Sequence, residues 1–91
     1  MKIKKGNYKL YKISSNSARS AENVKEGLLM DNCTAYIGED RTLRCSLNYH
    51  SDLAPYEWFR SSHIEKIVYK DPSPIYIIET RNSVYKLERI D

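Results

Sequence analysis

Glycine and proline are scarce in this 91-residue chain, at three each, and phenylalanine occurs once. So few chain breakers, with 41% hydrophobic residues, exclude collagen-like, low-complexity and extended disordered chains. No apolar run approaches the roughly 20 residues of a membrane-spanning helix. Residues 1–12 also lack the apolar stretch of an export signal. The expectation is one small domain, residues 1–91, in the cytoplasm and without a membrane. The two cysteines, Cys33 and Cys45, are then expected as free thiols. With two histidines and no Cys-x-x-Cys spacing they make a poor zinc set. There is no Gly-rich phosphate loop, so no cofactor is expected.

What the chain has is tyrosine, isoleucine and valine in short runs. Eight Tyr against one Phe suits thin sheets whose rings are half-buried and whose hydroxyls reach water or a partner. From Trp58 to Ile90, three such runs are separated by Pro72 and Pro74, which mark one turn, and by Arg81-Asn82-Ser83. Asn82 tolerates a positive φ and suits the second turn. This reads as an antiparallel meander, with Tyr85, Leu87 and Arg89 on one face and Val84, Lys86 and Glu88 on the other.

Upstream, residues 7–13 form a first strand, and Ser17 is a candidate cap for a short helix through Glu26, closed by Gly27. A loop is the alternative reading there. Asp31-Asn32 signals a turn, Thr34 to Ile37 a strand and Gly38-Glu39-Asp40 a hairpin. Beyond it Leu43, Cys45, Leu47 and Tyr49 alternate with Thr42, Arg44, Ser46 and Asn48, the period of a strand. Cys33 and Cys45 fall roughly opposite one another across that hairpin. The fold class is therefore mainly β: a single small domain of six or seven short strands. It forms an antiparallel curled sheet or open barrel with at most one short helix.

Catalytic parts are missing. Ser61-Ser62-His63 is contiguous, but neighbouring strand residues point to opposite faces, so contiguity makes no dyad. His50 and Asp52 lack a nucleophile, and Glu39-Asp40 falls in a turn. The expectation is a protein that is not an enzyme.

Binding has more material. Lys2, Lys4, Lys5, Lys9 and Lys12 fall in the first twelve residues without an acid, which suits phosphate, an acidic surface or a solvated edge strand. Arg60, His63 and Lys66 surround Trp58, and Arg41 and Arg44 flank the preceding hairpin. Cationic and aromatic groups together stack on bases or anchor protein interfaces. Trp58 itself is assigned first to the core, with these charges as its rim. The candidate binding residues are Lys4, Lys5, Lys9, Arg41, Arg44, Trp58, Arg60, His63 and Tyr85.

Two segments carry a resemblance. Trp58-Phe59-Arg60-Ser61-Ser62-His63-Ile64-Glu65-Lys66-Ile67 and Ile77-Ile78-Glu79-Thr80-Arg81-Asn82-Ser83-Val84-Tyr85-Lys86-Leu87, about a third of the chain, are similar to a pattern in small bacteriophage proteins of unknown role. There, an aromatic-x-Thr/Ser-Ser-x-Ile/Val segment precedes a hairpin carrying Thr-x-Asn-Ser-x-Tyr. The resemblance assigns no catalytic residue. It implies a compact phage product of the class that includes many inhibitors of host defence, acting in the host cytoplasm by occupying a surface or sequestering a ligand. The expected partner is a host protein or protein–nucleic-acid complex. Two further readings stay open: direct nucleic-acid binding, and sequestration of a nucleotide signal by a homo-oligomer.

Overall fold

A computed structural model describes residues 3–15, 26–70 and 75–90. They form six strands: β1 (Tyr8–Ser15), β2 (Gly27–Ile37), β3 (Thr42–Leu47), β4 (Trp58–Lys70), β5 (Ile75–Thr80) and β6 (Ser83–Arg89). Each pairs antiparallel with its neighbour in sequence. β6 pairs back onto β1, from Tyr8↔Arg89 to Ser15↔Ser83. The protein is mainly β, as expected, but the barrel is closed rather than open. Closure has a plain cause. Tyr8 and Leu10 point inward from β1, and Tyr85 and Leu87 from β6, so one ladder satisfies both backbones and buries all four side chains.

Two strands are long and change partner along their length. β2 pairs with β1 through residues 27–33 and with β3 through residues 33–37. β4 pairs with β3 through residues 58–63 and with β5 through residues 64–70. Register shifts within the β1–β2 ladder and between Ile64 and Lys66 bend these strands, as a narrow barrel requires. The turn expected at Asp31-Asn32 is therefore absent, and both residues lie within β2. Tertiary partners override the local signal: Ser51 Oγ donates to Asp31 at 2.7 Å, and the Asn48 side chain donates to Asn32 at 2.8 Å.

Leu10, Met30, Leu43, Ile78 and Leu87 are fully buried inside. Tyr8 and Tyr76 pack edge to face, 6.1 Å between ring centroids. The Tyr8 hydroxyl donates to the Lys4 carbonyl, and the Tyr76 hydroxyl accepts from the Lys4 N–H, so the N-terminal segment lies across these rings. Half-burial, expected for tyrosines generally, applies to Tyr11, Tyr56 and Tyr69; Tyr8, Tyr76 and Tyr85 are buried and Tyr36 and Tyr49 exposed.

The β5–β6 turn falls at Arg81-Asn82 as expected, but the left-handed residue is elsewhere. Among the described residues the one non-glycine with positive φ is Arg41, at 59°. Residues 17–25 of the helix expected through Glu26, and the turn at Pro72 and Pro74, lie outside the described residues; Gly27, expected to close that helix, instead opens β2. Among those described there is no helix, hence none long and apolar enough to cross a membrane.

Candidate binding face around Trp58

The β2–β3–β4 face is built by register. Leu43 and Cys45 point inward from β3, so Arg44 and Ser46 point outward. Arg44 stands opposite Tyr36 of β2 and Arg60 of β4, while Ser46 stands opposite Thr34 and Trp58. Two outward rows result, Tyr36–Arg44–Arg60 and Thr34–Ser46–Trp58. Phe59, next in sequence to Trp58, turns inward and packs on Tyr85 with ring centroids 5.0 Å apart.

Trp58 is thus not in the core: it is 73% exposed, and Phe59 takes the inward place. Adjacent strand residues must face opposite ways, and the larger ring went out. Three hollows surround the indole. One of about 350 Å³ is lined by Ser46, Tyr49, His50 and Glu57. A second of about 290 Å³ is lined by Tyr36, Arg44 and Arg60. The third, about 450 Å³, lies beside Pro55 and Tyr56.

Arg44 and Arg60 are a like-charge cross-strand pair, which alone opposes folding. Asp40, in the β2–β3 turn, resolves it. Its Oδ2 accepts from Arg44 Nη2 at 2.9 Å and from Arg60 Nη2 at 2.8 Å. Its Oδ1 accepts from the Thr42 hydroxyl at 2.7 Å. The Thr42 hydrogen bond first, then Arg44 and Arg60, hold the Asp40 carboxyl down at about 2. The pairing in turn raises the already high pKa of Arg44. Gly38 makes room for this clamp: a Cβ there would lie 2.8 Å from both Arg44 Nε and Asp40 Oδ1. The turn itself is closed by the Arg41 N–H on the Gly38 carbonyl at 2.9 Å, with Arg41 in the left-handed region.

Residues 48–57 border the face and are held at both ends. The Asn48 side chain donates to Asn7 and Asn32 and accepts from Thr34, and the Leu47 N–H bonds the Glu57 carbonyl at 2.7 Å. Between these anchors Tyr49 is 50% and Leu53 77% exposed.

The sequence-derived candidates therefore separate. Arg41, Arg44, Trp58, Arg60 and His63 belong to the β2–β3 turn and the β3–β4 ladder, with His63 exposed opposite Thr42. Lys4, Lys5 and Lys9 lie on or before β1, which pairs with β2 and β6 but not with β3 or β4. Lys4 Nζ sits 4.9 Å from the Tyr69 ring centroid. Lys12 leaves the basic group altogether, because it points inward with Leu10 and is 3% exposed. Burial lowers its pKa, against the opposing pull of Glu26. Tyr85 is also inside the barrel, 5% exposed, and burial raises its phenol pKa, so it offers no surface contact.

Ser61 is buried as well. Its hydroxyl accepts from the Leu43 N–H at 2.8 Å and donates to the Ser62 carbonyl, a backbone role. Cys33 and Cys45 are free thiols, but they are not opposite one another: Cys45 pairs with Ala35 and Cys33 with Leu47. They meet diagonally inside the barrel. The Cys45 thiol lowers the Cys33 pKa, while contact with Cys33 and burial push Cys45 well up.

Sequence reading missed Tyr36, Asp40, Tyr49 and Leu53. Tyr36 was reachable in principle, because inward Leu43 and Cys45 fix what stands outward across the hairpin; Asp40, a turn residue outside both strands, needed the register. Tyr49 and Leu53 belong to an irregular stretch whose placement rests on side-chain hydrogen bonds that periodicity does not encode.

No family model, curated protein or solved structure matches this chain. The fold and face define its class: a small closed β-barrel carrying an aromatic and arginine-bearing outer face.

Proposed function

We propose that this chain is a non-enzymatic binding protein that inhibits a protein target by occupying its surface. The observation that carries the reading is Trp58, the sole tryptophan, standing 73% exposed on a hydrogen-bonded ladder. Trp, Tyr and Arg are the residues that dominate binding energy in protein interfaces. Here Trp58, Tyr36, Arg44 and Arg60 share one rigid face, so little ordering entropy remains to be lost on association. Charge favours a protein over nucleic acid. Beside Trp58, Asp40 pairs with both Arg44 and Arg60, which leaves that trio one net positive charge, and Glu57 lines the adjoining hollow. A groove that tracks phosphates needs an uncompensated positive field.

The resemblance of residues 58–67 and 77–87 to a phage-type pattern suggests the target: a host defence factor, a nuclease complex among the candidates, met in the host cytoplasm. Direct nucleic-acid binding is the second reading, supported by exposed Lys4 and Lys5.

Affinity capture from host lysate tests both. Wild type, Trp58→Ala and the Lys4→Gln/Lys5→Gln/Lys9→Gln variant are compared with and without nuclease. A protein partner that survives nuclease and is lost with Trp58→Ala supports the proposal. Retention of nucleic acid alone, lost in the lysine variant, contradicts it.

A further inference from the structure

We propose that the Arg44–Asp40–Arg60 clamp reads a carboxylate, so that the face fits a protein segment bearing an acidic side chain beside an apolar pocket for Trp58. This rests on the binding reading above and adds the chemistry of the partner.

A single cation opposite Asp40 would satisfy the turn. Instead two arginines stand directly opposite each other across β3 and β4, an arrangement that opposes folding unless neutralised. One carboxylate shared by both leaves the trio with one net positive charge. Among the described residues the Arg60 guanidinium makes one hydrogen bond, through Nη2, so its Nε and Nη1 donors stay available. Its side chain is 57% exposed, against 38% for Arg44. Guanidinium donors in a fixed fork match a carboxylate's two oxygens. Asp40 acts as the positioning residue: it holds both guanidiniums in place before any partner arrives.

The charge count selects the ligand. One net positive charge complements one carboxylate. A phosphate dianion would exceed that charge and face Asp40, kept ionised between the two arginines. Trp58 is the neighbouring anchor, since it and both arginines line one hollow of about 290 Å³. The recognition element is therefore an Asp or Glu next to a cleft or hydrophobic residue that covers the indole.

The test is selection from a displayed library of random dodecapeptides against wild-type protein, with counter-selection on Trp58→Ala. The expected result is enrichment of peptides carrying Asp or Glu beside apolar residues. Replacing that acid by Ala, or Arg60 by Gln, should weaken binding about tenfold, the size of one charge-assisted hydrogen bond, and the two losses should not add. Selection on Arg60→Glu should turn to Lys- or Arg-bearing peptides, with thermal melting confirming that each variant folds. Trp58-dependent peptides without an acid would overturn this inference and leave the binding reading standing. Absence of any Trp58-dependent peptide would overturn both. Saturable quenching of Trp58 fluorescence by AMP or GMP would also overturn it, by showing a phosphate ligand.

Discussion

Arg44 of β3 and Arg60 of β4 are cross-strand partners, and both donate to one oxygen of Asp40, at 2.9 and 2.8 Å. The turn residue thus decides whether this ladder carries a repulsion or a clamp. Asp40→Asn should lower the melting temperature, and should do so less in an Arg60→Gln background, where the repulsion is already gone. Equal losses in the two backgrounds would show that the clamp is not a coupled unit.

That effect has a defined pH window. The folded Asp40 value of about 2 lies below the roughly 3.9 of an unfolded aspartate. A carboxyl depressed by folding contributes stability above its unfolded value and loses it as pH falls through the folded one. The melting-temperature gap between wild type and Asp40→Asn should therefore be constant from neutral pH to about pH 4 and close toward pH 2. A gap that closes near pH 6 would assign the effect to another group.

Arg41 is held at φ 59°, a region costing an L-residue roughly 1–2 kcal/mol. Arg41→Gly should stabilise the protein in urea denaturation, by up to about 1 kcal/mol after glycine's own entropy is counted. Gly38→Ala should do the opposite, since its Cβ would press on Arg44 and Asp40.

The barrel interior and exterior should separate cleanly. Leu43→Ala and Ile78→Ala remove fully buried side chains and should each cost roughly 2–5 kcal/mol. Trp58→Ala, though a larger truncation, should cost less than about 1 kcal/mol because the ring stands outside. Chemical denaturation of the three variants checks this. A Trp58 loss as large as the Leu43 loss would return the indole to the core.

Cys33 and Cys45 lie on adjacent strands but on a diagonal, and such pairs are typically too far apart at Cα for a relaxed disulfide. Both are buried. Alkylation without reductant should add no group to the native protein and two after unfolding. A species lighter by two hydrogens would mean a bridge.

Much of this fold was legible in the residues. The alternation running from Thr42 and that running from Val84 gave β3 and β6 their inward faces, and the turn signals at residues 38–40 and 81–83 gave their turns. Closure was not legible, because β1–β6 pairing joins residues 68 to 81 apart and no local signal marks it. Nor was the continuity of β2, since Asp31 and Asn32 are turn formers until Ser51 and Asn48 supply their partners. At the face, Arg44 and Arg60 could be named from sequence. The orientation of Trp58 could not: Trp58-Phe59 places one ring inward and one outward, and composition does not say which. Asp40 needed the register, which alone shows two arginines within its reach.

Because Trp58 is the sole tryptophan, its fluorescence reports this face and nothing else. Emission and acrylamide quenching should be measured on the free protein at a concentration where it is monomeric, and again with its captured protein partner. An outward Trp58 should give red-shifted, freely quenched emission in the free protein, and blue-shifted, shielded emission in the complex. Shielded emission from the free monomer, or emission unchanged by the partner, would contradict this reading.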